Sequence, residues 1–378
     1  MTTAVDPWRQ DGPCPACGAP VRLLAELPWP KFGHIDFSQF ASGPNRIFVC
    51  DHCGMGGVGL PDGMTDLKQL FVTESYVDRQ LPIHQVRQPG SDEFIQAPEH
   101  QADLLGEFLP PSPSILDIGC FDGRLLRAFQ ACFPGGRFVG YDVGERNRNL
   151  LDGSKIEYVA ENLDKAEGPF DLITMSHSLQ YEPNLAQLFQ TIDRLLAPSG
   201  TLFLQVPDVS LKPTGLLLGD LHHHFTATSL ANLAILHGYK PKTLEQNGFP
   251  RDAIVIAQRD EGTASIVTGG ADRLEHACRE LDSFVKKVEA LSDEGPQCPW
   301  HILGTTIDAA FVFYILGDRA GDFIDEMPIG ENHMFQGRPV RHPADLGSDE
   351  RAILPLGPAA TTVLKKFQDT YDAKFALI

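Results

Sequence analysis

The sequence predicts an α/β protein: a doubly wound, Rossmann-like core flanked by a small N-terminal cysteine module and a smaller C-terminal α/β domain. Three observations carry this expectation. Ser114-Ile-Leu-Asp-Ile-Gly-Cys-Phe-Asp-Gly123 reads as a strand and glycine turn, and Phe138-Val-Gly-Tyr-Asp142 as a second strand ending in a carboxylate. Two C-x-x-C-G units precede them, and strand and helix signals resume at Trp300. The expected boundaries are 1–95, 96–262 and 263–378.

In the first segment, Cys14-Pro-Ala-Cys17-Gly and Cys50-Asp-His-Cys53-Gly are two knuckles of one kind. A two-residue gap lets both thiolates of a pair reach one ion, and the following glycine permits the tight turn. Arg46-Ile-Phe-Val-Cys50 reads as the strand that delivers the second pair. Four thiolates leave no open coordination position, so Cys14, Cys17, Cys50 and Cys53 are expected to hold a structural zinc ion. The competing reading is a redox dithiol, for which one C-x-x-C would suffice. His52 is a spacer within its knuckle. Asp66 to Tyr76 reads as a helix and turn leading into the core.

In the second segment, Ile115-Leu-Asp-Ile is a short buried strand and Gly119 to Gly123 the turn. Arg124 to Cys132 is a helix with Leu125, Ala128, Phe129 and Cys132 on one face. Asp142, ending the next strand, can accept two hydrogen bonds from ribose hydroxyls. Phe170-Asp-Leu-Ile-Thr-Met-Ser is a third strand. The glycines do not follow G-x-G-x-x-G and nothing is placed for a pyrophosphate, which counts against the competing reading, a different Rossmann-like protein such as an NAD-dependent one. Thr201 to Asp208 is a strand after a helix ending near Pro198-Ser-Gly200. Then come Leu216 to Asp220, the run His222-His223-His224, a helix from an N-cap at Ser229 to Gly238, and a last strand at Ala253 to Gln258. His237, in the last helical turn, reads as structural, a cation suited to the helix dipole.

In the third segment, Leu274, Cys278, Leu281, Val285 and Val288 repeat at alternating four and three spacing. They mark a packing stripe on a helix from Gly269 to Leu291. After a linker at Gly295 to Pro299, Trp300 to Gly304 is a strand and turn, Ala309 to Leu316 a helix, and Gly321 to Asp325 a strand. Glycine is too sparse after Gly304 for a working phosphate loop.

The core resembles a class I S-adenosylmethionine-dependent methyltransferase. That resemblance implies S-adenosylmethionine as cofactor, with Gly119 and Gly123 admitting its amino-acid part and Asp142 holding the ribose. It also implies that Asn162 and Leu163 lie by the adenine, and that Met175 and His177 lie beside the cofactor. Asp117 and Asp122 fall in the matching loop, Asp117 as a brace of the turn or a contact. The domain order, with Phe71 to Tyr76, Asp325-Glu-Met-Pro328, Gly337 and Pro339, is similar to the bacterial sugar C-methyltransferases, which act on nucleotide-linked deoxysugars. In that family a Tyr-His-Glu-His string supplies the acid/base group. Here the string is Leu221-His222-His223-His224, with Ala227-Thr228 in place of a downstream aromatic pair, and Cys120-Phe121-Asp122 where asparagine commonly precedes the aspartate.

Carbon becomes nucleophilic only once a proton leaves next to a carbonyl, so C-methylation needs a base with a pKa near the working pH. The resemblance implies His224 as that base, with His222 second and His223 orienting one of them. Tyr181 and His177 would line the substrate pocket. Three adjacent histidines also read as a polar loop. Two further readings stay open: transfer to oxygen or nitrogen of another small metabolite, and a non-catalytic S-adenosylmethionine-binding subunit.

A formal charge of −19 leaves no basic surplus for a nucleic-acid backbone or an anionic membrane surface. No apolar run reaches the ~18–20 residues of a membrane span, and the first residues lack a signal-peptide core. Paired C-x-x-C units point to a reducing, cytoplasmic compartment. The expected partner is a small molecule; the oligomeric state is not legible.

Overall fold

Short strands joined by tight cysteine turns start the chain. The computed structural model describes residues 8–29, 44–59, 85–87, 94–243, 248–260, 262, 265–292, 299–326, 333–355 and 360–378. The helix and turn expected over Asp66 to Tyr76, the linker at Gly295 and residues 327–332 lie outside them. Strands β1 (Arg22–Leu27), β2 (Asn45–Val49) and β3 (Gly56–Val58) form an antiparallel meander. A hairpin, β4 (Gln85–Arg87) with β5 (Phe94–Gln96), leads to α1 (Ala97–Gly106), which opens on a proline suited to the first turn.

The core then alternates β6 (Ser114–Ile118), α2 (Arg124–Cys132), β7 (Arg137–Asp142), β8 (Ile156–Ala160), β9 (Phe170–Ser176), α3 (Leu185–Leu195) and β10 (Leu196–Pro207). After β11 (His223–His224) come α4 (Ala227–Leu236), β12 (Tyr239–Thr243) and β13 (Asp252–Arg259). The seven-stranded sheet has the order β12-β13-β10-β9-β6-β7-β8. Strands β6 to β10 are parallel, β13 runs against β10, and β12 runs against β13. This is the expected α/β class with a Rossmann-like core.

Both faces of the sheet are covered, which is why its strands read as nearly continuous apolar runs. Successive residues point to opposite faces. Leu116, Ile173, Leu202 and Leu204 join one buried cluster with Phe189 and Leu233. Ile115, Leu172 and Phe203 join another with Leu105, Leu126 and Phe129. Three local expectations are corrected. Helix α2 buries Leu125, Leu126 and Phe129, whereas Cys132 is exposed. Helix α4 is capped by Thr226, with Ser229 as the third-position partner of a capping box. The strand leading to Pro207 begins at Leu196, directly after α3, and carries a bulge before Thr201.

The chain divides into two compact units, 1–211 with 215–275, and 212–214 with 276–378. The break falls inside α5 (Gly270–Ser292), whose buried stripe is Leu274, Ala277, Leu281, Val285 and Val288; Cys278 is only half-buried. The second unit has β14 (Trp300–Leu303), α6 (Ile307–Leu316), β15 (Ala320–Ile324), β16 (Met334–Phe335), β17 (Arg338–Arg341), β18 (Arg351–Leu354), α7 (Ala360–Thr370) and β19 (Lys374–Leu377). Its sheet order is β16-β17-β15-β14-β18-β19, parallel except for β16. Among the described residues, no helix is long and apolar enough to cross a membrane.

Candidate functional site

The two cysteine knuckles fold alike. In each, the glycine after the second cysteine takes a positive φ (Gly18 +74°, Gly54 +75°). Its N–H donates to the carbonyl of the first cysteine, Cys14 at 2.9 Å and Cys50 at 2.8 Å. All four Sγ atoms lie within 4.8 Å of one another; Cys14–Cys53 is 3.6 Å and Cys17–Cys50 is 3.5 Å. A tetrahedral zinc ion with Zn–S bonds of about 2.3 Å spaces its sulfurs by about 3.8 Å, so the donor set fits that ion. Hydrogen bonding within the cluster holds the Cys50 thiol down and pushes Cys14 and Cys53 up. His52 is exposed outside the cluster.

The sheet reverses direction of growth at β6, between β7 on one side and β9 on the other. Such switch points are where open α/β sheets bind ligands. Three non-glycine residues take left-handed backbone conformations just past the carboxyl ends of β6, β8 and β9: Phe121 (φ +46°), Glu161 (φ +65°) and His177 (φ +56°). Strain of this kind concentrates at functional sites. Gly119 (φ +86°) lets the β6 loop touch the β9 loop: a Cβ there would lie 2.3 Å from Ser178 Cβ. Ser178 Oγ donates to Ile118 O at 2.5 Å, closing that contact. Gly123 (φ +72°) is the N-cap of α2, and a Cβ on it would meet Leu151 Cδ2 at 2.3 Å.

Asp142 accepts the Phe121 N–H at 2.9 Å and the Val143 N–H at 2.7 Å, one on each oxygen. Burial pushes this carboxyl up in pKa, and hydrogen bonds from the two amides and from the Asn147 side chain oppose it. A carboxylate offers about four acceptor sites, so room for a ribose hydroxyl remains beside these donors. Asp117 lies inside the sheet and accepts Thr174 Oγ1–H at 2.7 Å; burial raises it to about 7. Asp122 pairs with Arg124 at 2.5 Å. Asn162 caps a short turn by accepting from Asp164 N at 2.9 Å, followed by the half-buried Leu163. Met175 is packed in the core. Tyr181 is half-buried, its N–H donating to Ser178 O at 3.1 Å.

The histidine run lies on a different sheet from the core. As β11 it pairs with β3, His223 opposite Gly57 and His224 opposite Gly56, and so extends the cysteine module's meander. His222, His223 and His224 are 3, 1 and 2% exposed. The Trp8 indole N–H donates to His223 Nδ1 at 3.1 Å, which leaves Nε2 protonated and donating to Glu182 O at 2.8 Å. With both nitrogens engaged, His223 has no lone pair for a substrate proton; burial drops its pKa to about 3. His222 N donates to Gln180 O at 2.9 Å, tying the run to the loop after β9. His237, at the C-cap of α4, is structural: its ring stacks on Phe189 at 4.0 Å, and burial lowers its pKa.

His177 is the exception, with a side chain 44% exposed at the end of β9. Its Nε2 lies 3.2 Å from Asp252 Oδ2, and its backbone N–H donates to Gln205 O at 2.8 Å. Gln205 Nε2 donates to the same Asp252 oxygen at 2.5 Å, and Gln101 Nε2 to Gln205 Oε1 at 2.6 Å and Ser176 Oγ at 2.8 Å. Burial opposes the charged imidazole, but the Asp252 carboxylate outweighs it and raises the His177 pKa. Asp252, Gln205, Gln101, Ser178 and Trp8 carry no local motif. They come from separate elements, and the sequence offers no signal for them beyond Gln205 and Asp252 being polar residues in otherwise apolar strands.

Residues 93–246 match a family model described as a methyltransferase domain. Trans-aconitate 2-methyltransferase of Escherichia coli O17:K52:H18 (strain UMN026 / ExPEC) is 31% identical over 132 residues, 33% of this chain and 52% of that one. The same enzyme of Escherichia coli (strain K12 / DH10B) is 30% identical over 132 residues, with the same shares of 33% and 52%. The chain thus spans about half the length of the curated relatives it matches. Among solved structures, an S-adenosylmethionine dependent methyltransferase from Mesorhizobium loti overlaps 42% of this chain and 98% of that one, at 23% identity and TM-score 0.35. A TehB-like SAM-dependent methyltransferase from Corynebacterium glutamicum overlaps 43% and 88%, at 16% identity and TM-score 0.34. Overlaps at these scores carry no argument of their own.

Proposed function

We propose that this chain is an S-adenosylmethionine-dependent methyltransferase acting on a small molecule. The observation that carries the reading is the switch point: Gly119 closed against Ser178, strained backbone in the loops after β6 and β9, and Asp142 oriented by two amides. The match of 93–246 to a methyltransferase domain supports it. In this reading the Gly119 and Gly123 backbones admit the amino-acid part of the cofactor, Asp142 accepts from the ribose, and Asn162 with Leu163 borders the adenine. When bound, the cofactor supplies an activated sulfonium methyl, so the protein's task is to align the acceptor, exclude water and take up a proton.

For the acceptor we propose a nucleotide-linked keto-deoxysugar methylated at carbon, a reading that rests on the domain order and histidine string of the sugar C-methyltransferases. The resemblance gives the base to His224, which is almost wholly buried here. Zinc on Cys14, Cys17, Cys50 and Cys53 would hold the module that supplies β3 to the histidine strand.

The test is to incubate zinc-loaded protein with methyl-labelled S-adenosylmethionine and a panel of nucleotide-linked 4-keto-6-deoxysugars, then locate the label by NMR. Label on a sugar carbon is expected. Label on oxygen or nitrogen, or none while the cofactor binds, would overturn the carbon-acceptor reading. With S-adenosylhomocysteine in place of the donor, the acidic sugar proton should exchange with heavy water.

A further inference from the structure

We infer that His177 is the proton acceptor of the transfer and that Asp252 is its positioning residue. This inference rests on the methyltransferase reading above. Of the four histidines that the sequence places near the site, His177 alone presents an open ring: 44% against 3% or less for His222, His223 and His224. A carboxylate only accepts, so the Nε2 that faces Asp252 carries the ring proton. Nδ1 therefore holds the lone pair, the form a general base requires.

Asp252 is itself held. Its side chain is 9% exposed, and Gln205, anchored by Gln101, donates to the oxygen that faces the imidazole. Gln205 also accepts the His177 backbone N–H, so one residue fixes both the ring's partner and the ring's own backbone. The arrangement spans α1, β9, β10 and β13, and His177 itself directly precedes Ser178, the residue packed on Gly119. A buried carboxylate behind an imidazole fixes the tautomer and stabilises the imidazolium that proton uptake creates.

The step balances. A proton leaves the acceptor's C–H (or O–H) for His177 Nδ1, and the electron pair left behind forms the new bond to the methyl carbon. The methyl–sulfur bond breaks with its electrons staying on sulfur, and the positive charge passes from sulfonium to imidazolium. Solvent then takes the proton.

The test uses full-length, zinc-loaded protein labelled with nitrogen-15 in histidine. In the free enzyme, NMR should show His177 as the Nε2–H tautomer, and Asp252→Asn should lower its pKa. Calorimetry should show S-adenosylhomocysteine binding unchanged within about twofold. With a panel sugar that wild type methylates, His177→Ala should lose roughly 10²–10⁴-fold in kcat and recover in part with added imidazole. Asp252→Asn should lose kcat with little change in KM, and Asp252→Glu should restore part of it. An Nδ1–H tautomer, a His177 titration indifferent to Asp252→Asn, or wild-type turnover in His177→Ala would each overturn the inference. Failure to bind S-adenosylhomocysteine would instead sink the methyltransferase reading, and the inference with it. If wild type binds S-adenosylhomocysteine but methylates no panel sugar, the NMR result decides.

Discussion

His223 makes stability depend on pH in a way that one substitution should cancel. The ring is buried and neutral, its Nδ1 taken by Trp8 and its Nε2 donated to Glu182 O, and its pKa is dropped to about 3. In the unfolded chain the same ring titrates near 6.5. The folded value is depressed, so the full contribution is present above about 6.5 and is lost as pH falls toward 3, because only the unfolded chain takes up the proton. At pH 5 about 1.5 pH units of that window have been crossed. At about 1.4 kcal/mol per unit, the loss is about 2 kcal/mol. His223→Gln keeps an acceptor for Trp8 and a donor for Glu182 but does not titrate in this range. Urea unfolding of zinc-saturated wild type and His223→Gln at about pH 7.5 and pH 5 should therefore show an extra loss of about 2 kcal/mol in wild type alone. Other titrating groups, the zinc thiolates included, are common to both proteins and cancel in the difference. Equal losses would refute the neutral, doubly bonded ring.

Metal analysis should find about one zinc per chain, and Cys50→Ser should release it together with hydrogen-exchange protection at Gly56 and Gly57, which pair with β11. Retained stoichiometric zinc in that variant would argue against the four-thiolate site. Gly119→Ala forces a side chain onto a φ of +86° and 2.3 Å from Ser178 Cβ. Affinity for S-adenosylhomocysteine should drop at least about tenfold, or about 1.4 kcal/mol; calorimetry giving wild-type affinity would separate this turn from the cofactor. Leu281→Ala removes a fully buried side chain from the α5 stripe and should cost about 2–5 kcal/mol in thermal unfolding, whereas a shift within error would mean that the stripe is not packed as described.

What the sequence determined by itself was local. Apolar strand runs bounded by Gly119, Gly123 and the carboxylate of Asp142 can be read because glycine's φ freedom and strand periodicity act over a few residues. The doubled C-x-x-C-G is legible for the same reason: each knuckle is a self-contained turn, closed by hydrogen bonds between residues four apart. Tertiary structure decided where the histidines go. A three-residue run gives no sign of which edge it will join, and β3, more than 160 residues earlier, takes it into the cysteine module's sheet and buries it. The same holds for Trp8 against His223 and for Asp252, Gln205 and Gln101 behind His177. These contacts join residues 47 to 215 positions apart, each in a locally ordinary segment. Their chemistry depends on burial and on partner distance, and both are set only when the sheets close on one another.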